Sequence, residues 1–428
     1  MLGYDRATIN TLNNIPVKFN IQHNHPANPA KLEANKVLQH IKKRCRQETT
    51  PVPSIYKQEI AKLRTPEWND DTQRMVEELP TFPSLKSSLY RQREGLYPNL
   101  PTSLLDLNLQ DEWTQTTAAE RFLLINDGTH DKILAFATDT NLQHLVNNDN
   151  NTIYADGTFY TCPTLFKQIY TLHALVNGEM FPLVFALLPG KSEIIYSRFF
   201  TLLKDACTQR RLYLNPTTFF IDYETAVQNA ASTSFPGVTI KGCFFHYTQC
   251  IWRKVQDTGL VTSYRDDEEV HRLVRRAAVL PLVPQADVTD VWFNAMEDMD
   301  NSNSLVNTTS FTDYVVTNWV ETYRHLWNHY QTEGPRTTNH LEGWHSSMKK
   351  TIQVPHPNIY RLLTHLKEEQ AVNEVTHIQY SAGGLRPVKR RKYIQLNQRL
   401  QQLKLRLQNQ EISVFQFADI ASYLLHLD

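Results

Sequence analysis

The chain has 428 residues, 41% of them hydrophobic, which is enough for a sizeable core and two or three domains of ordinary size. Its 44 basic and 44 acidic residues cancel, so total charge speaks against a nucleic-acid partner and only local clusters can speak for one. No apolar run approaches the roughly 18 residues of a membrane span, the start MLGYDRATIN has no apolar signal core, and Cys45, Cys162, Cys207, Cys243 and Cys250 are too scattered for a disulfide framework; a membrane protein and a disulfide-stapled secreted module are excluded, and free thiols in an intracellular protein are expected.

Taken in order, the first thirty residues contain VKFNIQHNHPANP, where His23 and His25 resemble the last two ligands of an FLYWCH zinc finger. No cysteine precedes Cys45, so the two thiolates of a closed Cys2His2 site are absent; 1–30 reads as the remnant of a truncated finger tail, and no zinc is expected in this chain. Residues 31–46 read as an amphipathic helix with Leu32, Val37, Leu38 and Ile41 on its apolar side and Lys31, Lys36, Lys42, Lys43, Arg44 and Arg46 as a basic stretch. Pro51-Val52-Pro53 breaks the chain before a helix starting at Ser54, and the proline-rich stretch 80–101 reads as irregular, so 31–118 is a helical N-terminal region and linker. Strands at 121–125 and 132–137 flank Asp127-Gly128 as a hairpin leading into a core predicted over 119–247. A helix over 141–146 and a polar loop over 147–151 follow.

The organising stretch runs from 152 to 246. Asp156 follows the apolar run Ile153, Tyr154, Ala155, and Asp222 closes Thr218, Phe219, Phe220, Ile221, so both carboxylates are expected at strand ends. Strands at 167–176 and 179–188 meet at Asn177-Gly178, a dipeptide suited to the positive φ angles of a two-residue hairpin turn. Ser192 then caps a helix over 194–210 with Ile195, Phe199, Leu202, Leu203 and Ala206 at helical spacing; a short helix over 224–232 and a fifth strand over 238–245 ending at His246 complete the order βββαβαβ. Three antiparallel strands followed by two αβ units make an α/β mixed sheet of ribonuclease H-like arrangement. In it the first and fourth strands are neighbours, so Asp156 and Asp222 would meet, and adjacent carboxylates repel unless a cation sits between them. Taken alone, Asp156 before a glycine is a turn or cap residue and Asp222 before a helix is as good an N-cap as a ligand; Glu224 is expected to begin the helix and point away.

The DGTF of 156–159, the FALLPGKSE of 185–193, the DYETA of 222–226 and the GCFFHYTQCIWRKVQ of 242–256 together resemble the transposase domain of Mutator-like elements, over roughly 121–350. That resemblance implies a DDE-type recombinase whose third acid lies beyond a long helical insertion, in RTTNHLEGWHSSMKK, at Glu342. It implies two Mg2+ ions, replaceable by Mn2+, held by Asp156, Asp222 and Glu342 for phosphoryl transfer on DNA, with three hard carboxylates suiting such ions. Relatives of this kind often carry a finger ahead of the transposase. Glu193 and Glu321 are the other acids weighed for the third position, the first read as a first-turn residue and the second as an amphipathic-helix residue.

Cys243 and His246 form a CxxH that is a weak zinc signal without a second pair; because the family shares it, it reads as part of the active-site or DNA-binding wall. Trp252, Arg253 and Lys254 follow as an aromatic and basic set able to stack on and neutralise a strand, or as an ordinary amphipathic helix. An all-helical insertion is expected over 248–335, with Val270, Leu273, Val274, Ala277 and Ala278 as one apolar run and Phe311, Val315, Trp319, Tyr323 and Leu326 as another. Core helices over 336–380 would carry Glu342, one of them over 358–373, before a joint at Ser381-Ala382-Gly383-Gly384. The tail 381–428 carries Arg386, Lys389, Arg390, Arg391 and Lys392, a patch for phosphates or nuclear import, and a helix over 394–410 suited to an oligomer contact. The expected partners are DNA ends, target DNA and a second copy of the chain, in the nucleus, with no membrane and no small-molecule substrate. Two other readings stay open: a domesticated copy that binds DNA without moving it, and a generic ribonuclease H-like nuclease, which would lack the insertion.

Overall fold

The computed structural model describes residues 9–12, 15–19, 28–48, 50–94, 97–386 and 391–425. His23 and His25, Lys389 and Arg390, and the side chain of Lys392 lie outside them. The chain divides into two compact units, Met1–Leu100 and Pro101–Asp428.

In the first unit, β1 (Ile9–Leu12) and β2 (Ile15–Phe19) pair antiparallel. Asn28 accepts the Lys31 N–H and starts α1 (Pro29–Gln47), whose proline sits in the first turn, where its missing N–H costs nothing. Helices α2 (Val52–Leu63), α3 (Asp70–Glu77) and α4 (Phe82–Glu94) follow. The stretch expected to be irregular thus holds a helix: Pro83 falls in the first turn of α4, and Leu85 and Leu89, four residues apart, bury against Ile41, Cys45, Val52 and Ile55. The buried stripe of α1 is Ala34, Ile41 and Cys45; Leu32, placed on that side by its spacing, is 58% exposed.

Glu59 ties these helices together, accepting from Arg44 at 2.6 Å and Lys62 at 2.6 Å and meeting His40 at 2.8 Å. Burial alone would raise this carboxyl, but the bonds from Lys62, His40 and Arg44 prevail and hold it down at about 2. A carboxylate whose folded pKa lies below its unfolded value stabilises above the unfolded value and loses that contribution as pH falls through the folded one. Amide exchange of α1 and α2 in the full chain should therefore accelerate on acidification from pH 5 to pH 2, by the equivalent of about 2 kcal/mol. Glu59→Gln should flatten that dependence; an unchanged profile would contradict the network.

The second unit is mixed α/β, with a seven-stranded mixed sheet. Its strands are β3 (Leu123–Asp127), β4 (Ile133–Phe136), β5 (Thr152–Thr158), β6 (Gln168–Val176), β7 (Glu179–Leu188), β8 (Thr218–Ile221) and β9 (Thr239–Gly242), in the spatial order β3-β4-β7-β6-β5-β8-β9. Between them run α5 (Asp139–Val146), α6 (Glu193–Thr208) and α7 (Thr225–Ser234), so β5-β6-β7-α6-β8-α7-β9 has the expected βββαβαβ order. Asn177 and Gly178, at φ 53° and 80°, make the turn between β6 and β7. β5 pairs antiparallel with β6 and parallel with β8.

Strand alternation sorts the side chains of the parallel pair. Ile153, Ala155, Phe219 and Ile221 face α5, α6 and α7, in a core with Leu142, Phe199, Phe200, Leu203 and Val227. Tyr154 and Phe220 face the other way, stacked at 4.9 Å, and pack against Leu341.

The fifth strand is shorter than expected. It ends at Gly242, Cys243 precedes α8 (Phe244–Asp257) as its N-cap residue, and the helix starts before His246 because Tyr247, Ile251 and Val255 at four-residue spacing bury in a second, helical core. That core gathers α9 (Val261–Asp266), α10 (Glu268–Val279), α11 (Val288–Asp300), α12 (Thr309–Val315), a π turn over Val316–Val320 and α13 (Arg324–Trp327). A boundary at 248 therefore cuts a continuous helix. α14 (Asn339–Ile352) and α15 (Ile359–Ser381) return to the sheet, where Trp344 lies 5.5 Å from Phe185 and 5.6 Å from His173. Residues 101–118, assigned to the linker by sequence, fall in the second unit, where Leu107 and Leu109 are buried.

In the tail, α16 (Arg391–Gln408) and α17 (Val414–Ser422) place Leu400, Leu403, Phe417, Ala418 and Ala421 in the helical core, while Leu405 of α16 stays 57% exposed.

Candidate active site beside the parallel strand pair

The register of β5 and β8 pairs Thr152 with Thr218, Ile153 with Phe219 and Tyr154 with Phe220. Asp156 lies two residues beyond Tyr154 on the same face of β5, and Asp222 follows Ile221, the last residue of β8, so the two aspartates belong to neighbouring parallel strands. Asp156 lies within β5, where it pairs with Thr171 of β6, and not at a strand end as its spacing suggests; β8 stops at Ile221 and the chain turns away at Asp222. The pair thus sits where one neighbour of β5 leaves the sheet. Asp156 Oδ1 accepts the Gly157 N–H at 2.8 Å and Asp222 Oδ1 accepts the Tyr223 N–H at 2.7 Å, leaving the second oxygen of each free of these local bonds. Gly242 lets Tyr223 close over β9: a Cβ there would lie 2.3 Å from the Tyr223 ring.

Leu341 anchors α14 on Tyr154 and Phe220, and this aims the next turns of the helix at the aspartates. Glu342 Oε1 lies 3.2 Å from His246 Nε2, and the other ring nitrogen of His246 lies 3.4 Å from Asp222 Oδ1. That second approach is within reach of charge attraction but lacks hydrogen-bond alignment, so Nδ1 is buried without a bonding partner. One turn on, His345 Nδ1 lies 3.3 Å from Asp156 Oδ2, and its Nε2 meets Thr171, which also meets His173 at 3.0 Å. Burial alone would lower the His246 imidazole; its neighbours Cys243, Glu342 and Asp222 override it and push it up to about 11. It is therefore an imidazolium at neutral pH, the countercharge between Asp222 and Glu342. His173, fully buried near His345 and His340, is held well below its ordinary value by burial first and those neighbours second.

Donor chemistry decides what else the cluster can hold. Three carboxylates on β5, the end of β8 and α14 suit a hard divalent cation, and the unbonded Nδ1 of His246 shows that the imidazolium is not locked into a satisfied network. Among the described residues no group of three or more His, Cys, Asp or Glu side chains is placed so that it could hold a metal ion as the side chains stand. Asp156, Asp222 and Glu342 thus fit such an ion in kind, with His246 the group that would have to yield.

Other predicted residues fall elsewhere. Cys243 is fully buried, its sulfur accepting from the N–H and hydroxyl of Thr338 at 3.2 Å, so it secures the approach to α14 and cannot touch DNA as expected. Trp252, half-buried, packs edge-on to Tyr264 at 5.2 Å, and the half-buried Lys254 places its ammonium over the Tyr314 ring. Arg253 and Arg391 are exposed. Glu193 accepts from Asn229 at 2.9 Å, and Glu321 is exposed beyond the π turn. Glu224 does begin α7, but its carboxylate turns back to Lys191 at 3.2 Å and the Tyr196 hydroxyl at 3.4 Å. The three-residue step from Glu342 to His345 is the one local signal in the sequence for His345, and His173 carries none.

The fold and this cluster define a mixed α/β protein with an acid and imidazole site on one face of its sheet. Residues 152–250 match the family model of the MULE transposase domain. The matched stretch runs from β5 into α8, holds Asp156, Asp222 and His246 and stops short of Glu342, and it gives a transposase-related function as the frame for the site. No curated protein matches the chain.

Proposed function

We propose that the chain is a Mutator-like DDE-type DNA transposase with a ribonuclease H-like core that cleaves and transfers DNA strands. The observation that carries this reading is the parallel pairing of β5 with β8, which puts Asp156 and Asp222 on neighbouring strands, with Asp222 and Glu342 both against His246. The order β7-β6-β5-β8-β9, with β6 antiparallel to β5 and β8 parallel to it, supports the ribonuclease H-like assignment. Asp156, Asp222 and Glu342 would hold two Mg2+ ions, or Mn2+ in their place, which activate the attacking hydroxyl and stabilise the leaving oxygen in reactions of this kind. The chain's own contribution is positional: the Gly157 and Tyr223 N–H groups each fix one aspartate oxygen, and His345 holds Asp156. Nuclear residence and a homo-oligomeric working assembly belong to the same proposal.

A second reading is a transposase-derived DNA-binding protein without strand transfer. The imidazolium between Asp222 and Glu342 favours it, because a cation supplied by the chain itself already offsets part of the carboxylate charge that a metal would otherwise neutralise. Incubation of a labelled duplex with wild type and Asp222→Ala in Mg2+ or Mn2+ separates the two. Nicking by wild type that disappears in the variant supports the transposase; binding without nicking under both metals supports the second reading.

A further inference from the structure

A polyanion does not approach three carboxylates unless the rim of the site supplies cations. Beside the cluster, two consecutive aromatic residues each carry a lysine. Phe159, 43% exposed just past β5, has the Lys191 ammonium 4.3 Å from its ring centroid. Tyr160 has the Lys349 ammonium 4.3 Å from its own. The lysines come from different directions: Lys191 from the β7–α6 connection, Lys349 from the last turn of α14, beyond Glu342 and His345. The aromatic pair is held from behind, since the Tyr160 carbonyl accepts the His356 N–H at 2.8 Å and the Cys162 carbonyl meets His356 Nδ1 at 3.0 Å. Exposed cation–π contacts are weak, about 0.5–1 kcal/mol, so a phosphate can draw either ammonium away and leave a ring face for a base. The Glu224 carboxylate, 3.2 Å from Lys191, is the one competitor on that side that the structure records.

We propose that Phe159 and Tyr160 form a stacking platform for unpaired bases of the DNA strand entering the site, with Lys191 and Lys349 taking its phosphates. This rests on the reading of the protein as a DNA-acting enzyme and adds the track by which a strand reaches the carboxylates. Base stacking on an aromatic ring together with lysine–phosphate contact is sequence-tolerant, so the platform would serve any sequence.

The test is anisotropy of a labelled single-stranded oligodeoxythymidine, and of a labelled duplex, with the full chain in EDTA so that no cleavage intervenes. Phe159→Leu, which keeps apolar volume but removes the ring, should weaken single-strand binding by roughly tenfold to a hundredfold. Lys191→Ala/Lys349→Ala should weaken it as well and reduce the slope of log affinity against log salt by about 1.4. Thermal melts establish that each variant is folded. If wild type binds the duplex but both folded variants bind the single strand as wild type does, with an unchanged salt slope, the platform is wrong and the DNA reading stands. If wild type binds neither DNA, both fall.

Discussion

Phe417→Ala is expected to destabilise the full chain by about 3–5 kcal/mol, the cost of emptying a buried aromatic site. Phe417 is fully buried on α17, edge-on to Tyr330 with ring centroids 6.2 Å apart, and Ala418 and Ala421 beside it join the same core. The helix is well specified: Ser413 and Gln416 form a reciprocal capping box at its start. Asp419 receives Arg276 of α10, whose guanidinium also reaches Asp298 of α11 at 2.5 Å, so one buried cation joins three helices. The consequence reaches the site, because α8 runs from this helical core to His246 without a break. Denaturant unfolding of the variant beside Ile420→Ala, whose side chain is 41% exposed, makes the measurement. A large loss for Phe417 and a small one for Ile420 are expected; equal small losses would contradict the packing of α17.

The sheet was legible because its signals are local. Asn177-Gly178 demands its turn, Ser192 caps α6, and the aromatic and β-branched run before Asp222 has no other good home than a buried strand. That β5 and β8 are neighbours is expected from the ribonuclease H-like arrangement suggested by the order of elements. What escaped depended on contacts distant in sequence. Leu400 and Leu403 of α16 look like part of a free apolar stripe until the helical core that buries them is in place. The proline-rich stretch 80–101 reads as irregular from its composition, yet Pro83 falls in a first turn, where proline breaks nothing. His345 as the partner of Asp156, and the return of Glu224 to Lys191, depend on how α14 and α7 land on the sheet, and spacing along one helix does not encode that. Glu342 became a candidate through resemblance, its sequence context being that of an ordinary helix residue.

That makes Glu342 the sharpest place to probe. Glu342 is one-third exposed, 3.2 Å from an imidazolium that also neighbours Asp222, and sits on a helix anchored by the buried Leu341. Glu342→Gln keeps its size and a hydrogen bond to His246 while removing the charge. If the three carboxylates act as one unit, that single loss should lower strand cleavage by roughly 10^3-fold or more, with stability little changed. Glu321, the alternative acid, is exposed on the helical insertion, and Glu321→Gln should cut at the wild-type rate. The deciding measurement is the single-turnover rate of Mn2+-dependent nicking of a labelled duplex by wild type, Glu342→Gln and Glu321→Gln at matched protein concentration. A collapse confined to Glu342→Gln is the predicted result; wild-type cutting by Glu342→Gln would contradict the carboxylate site as described.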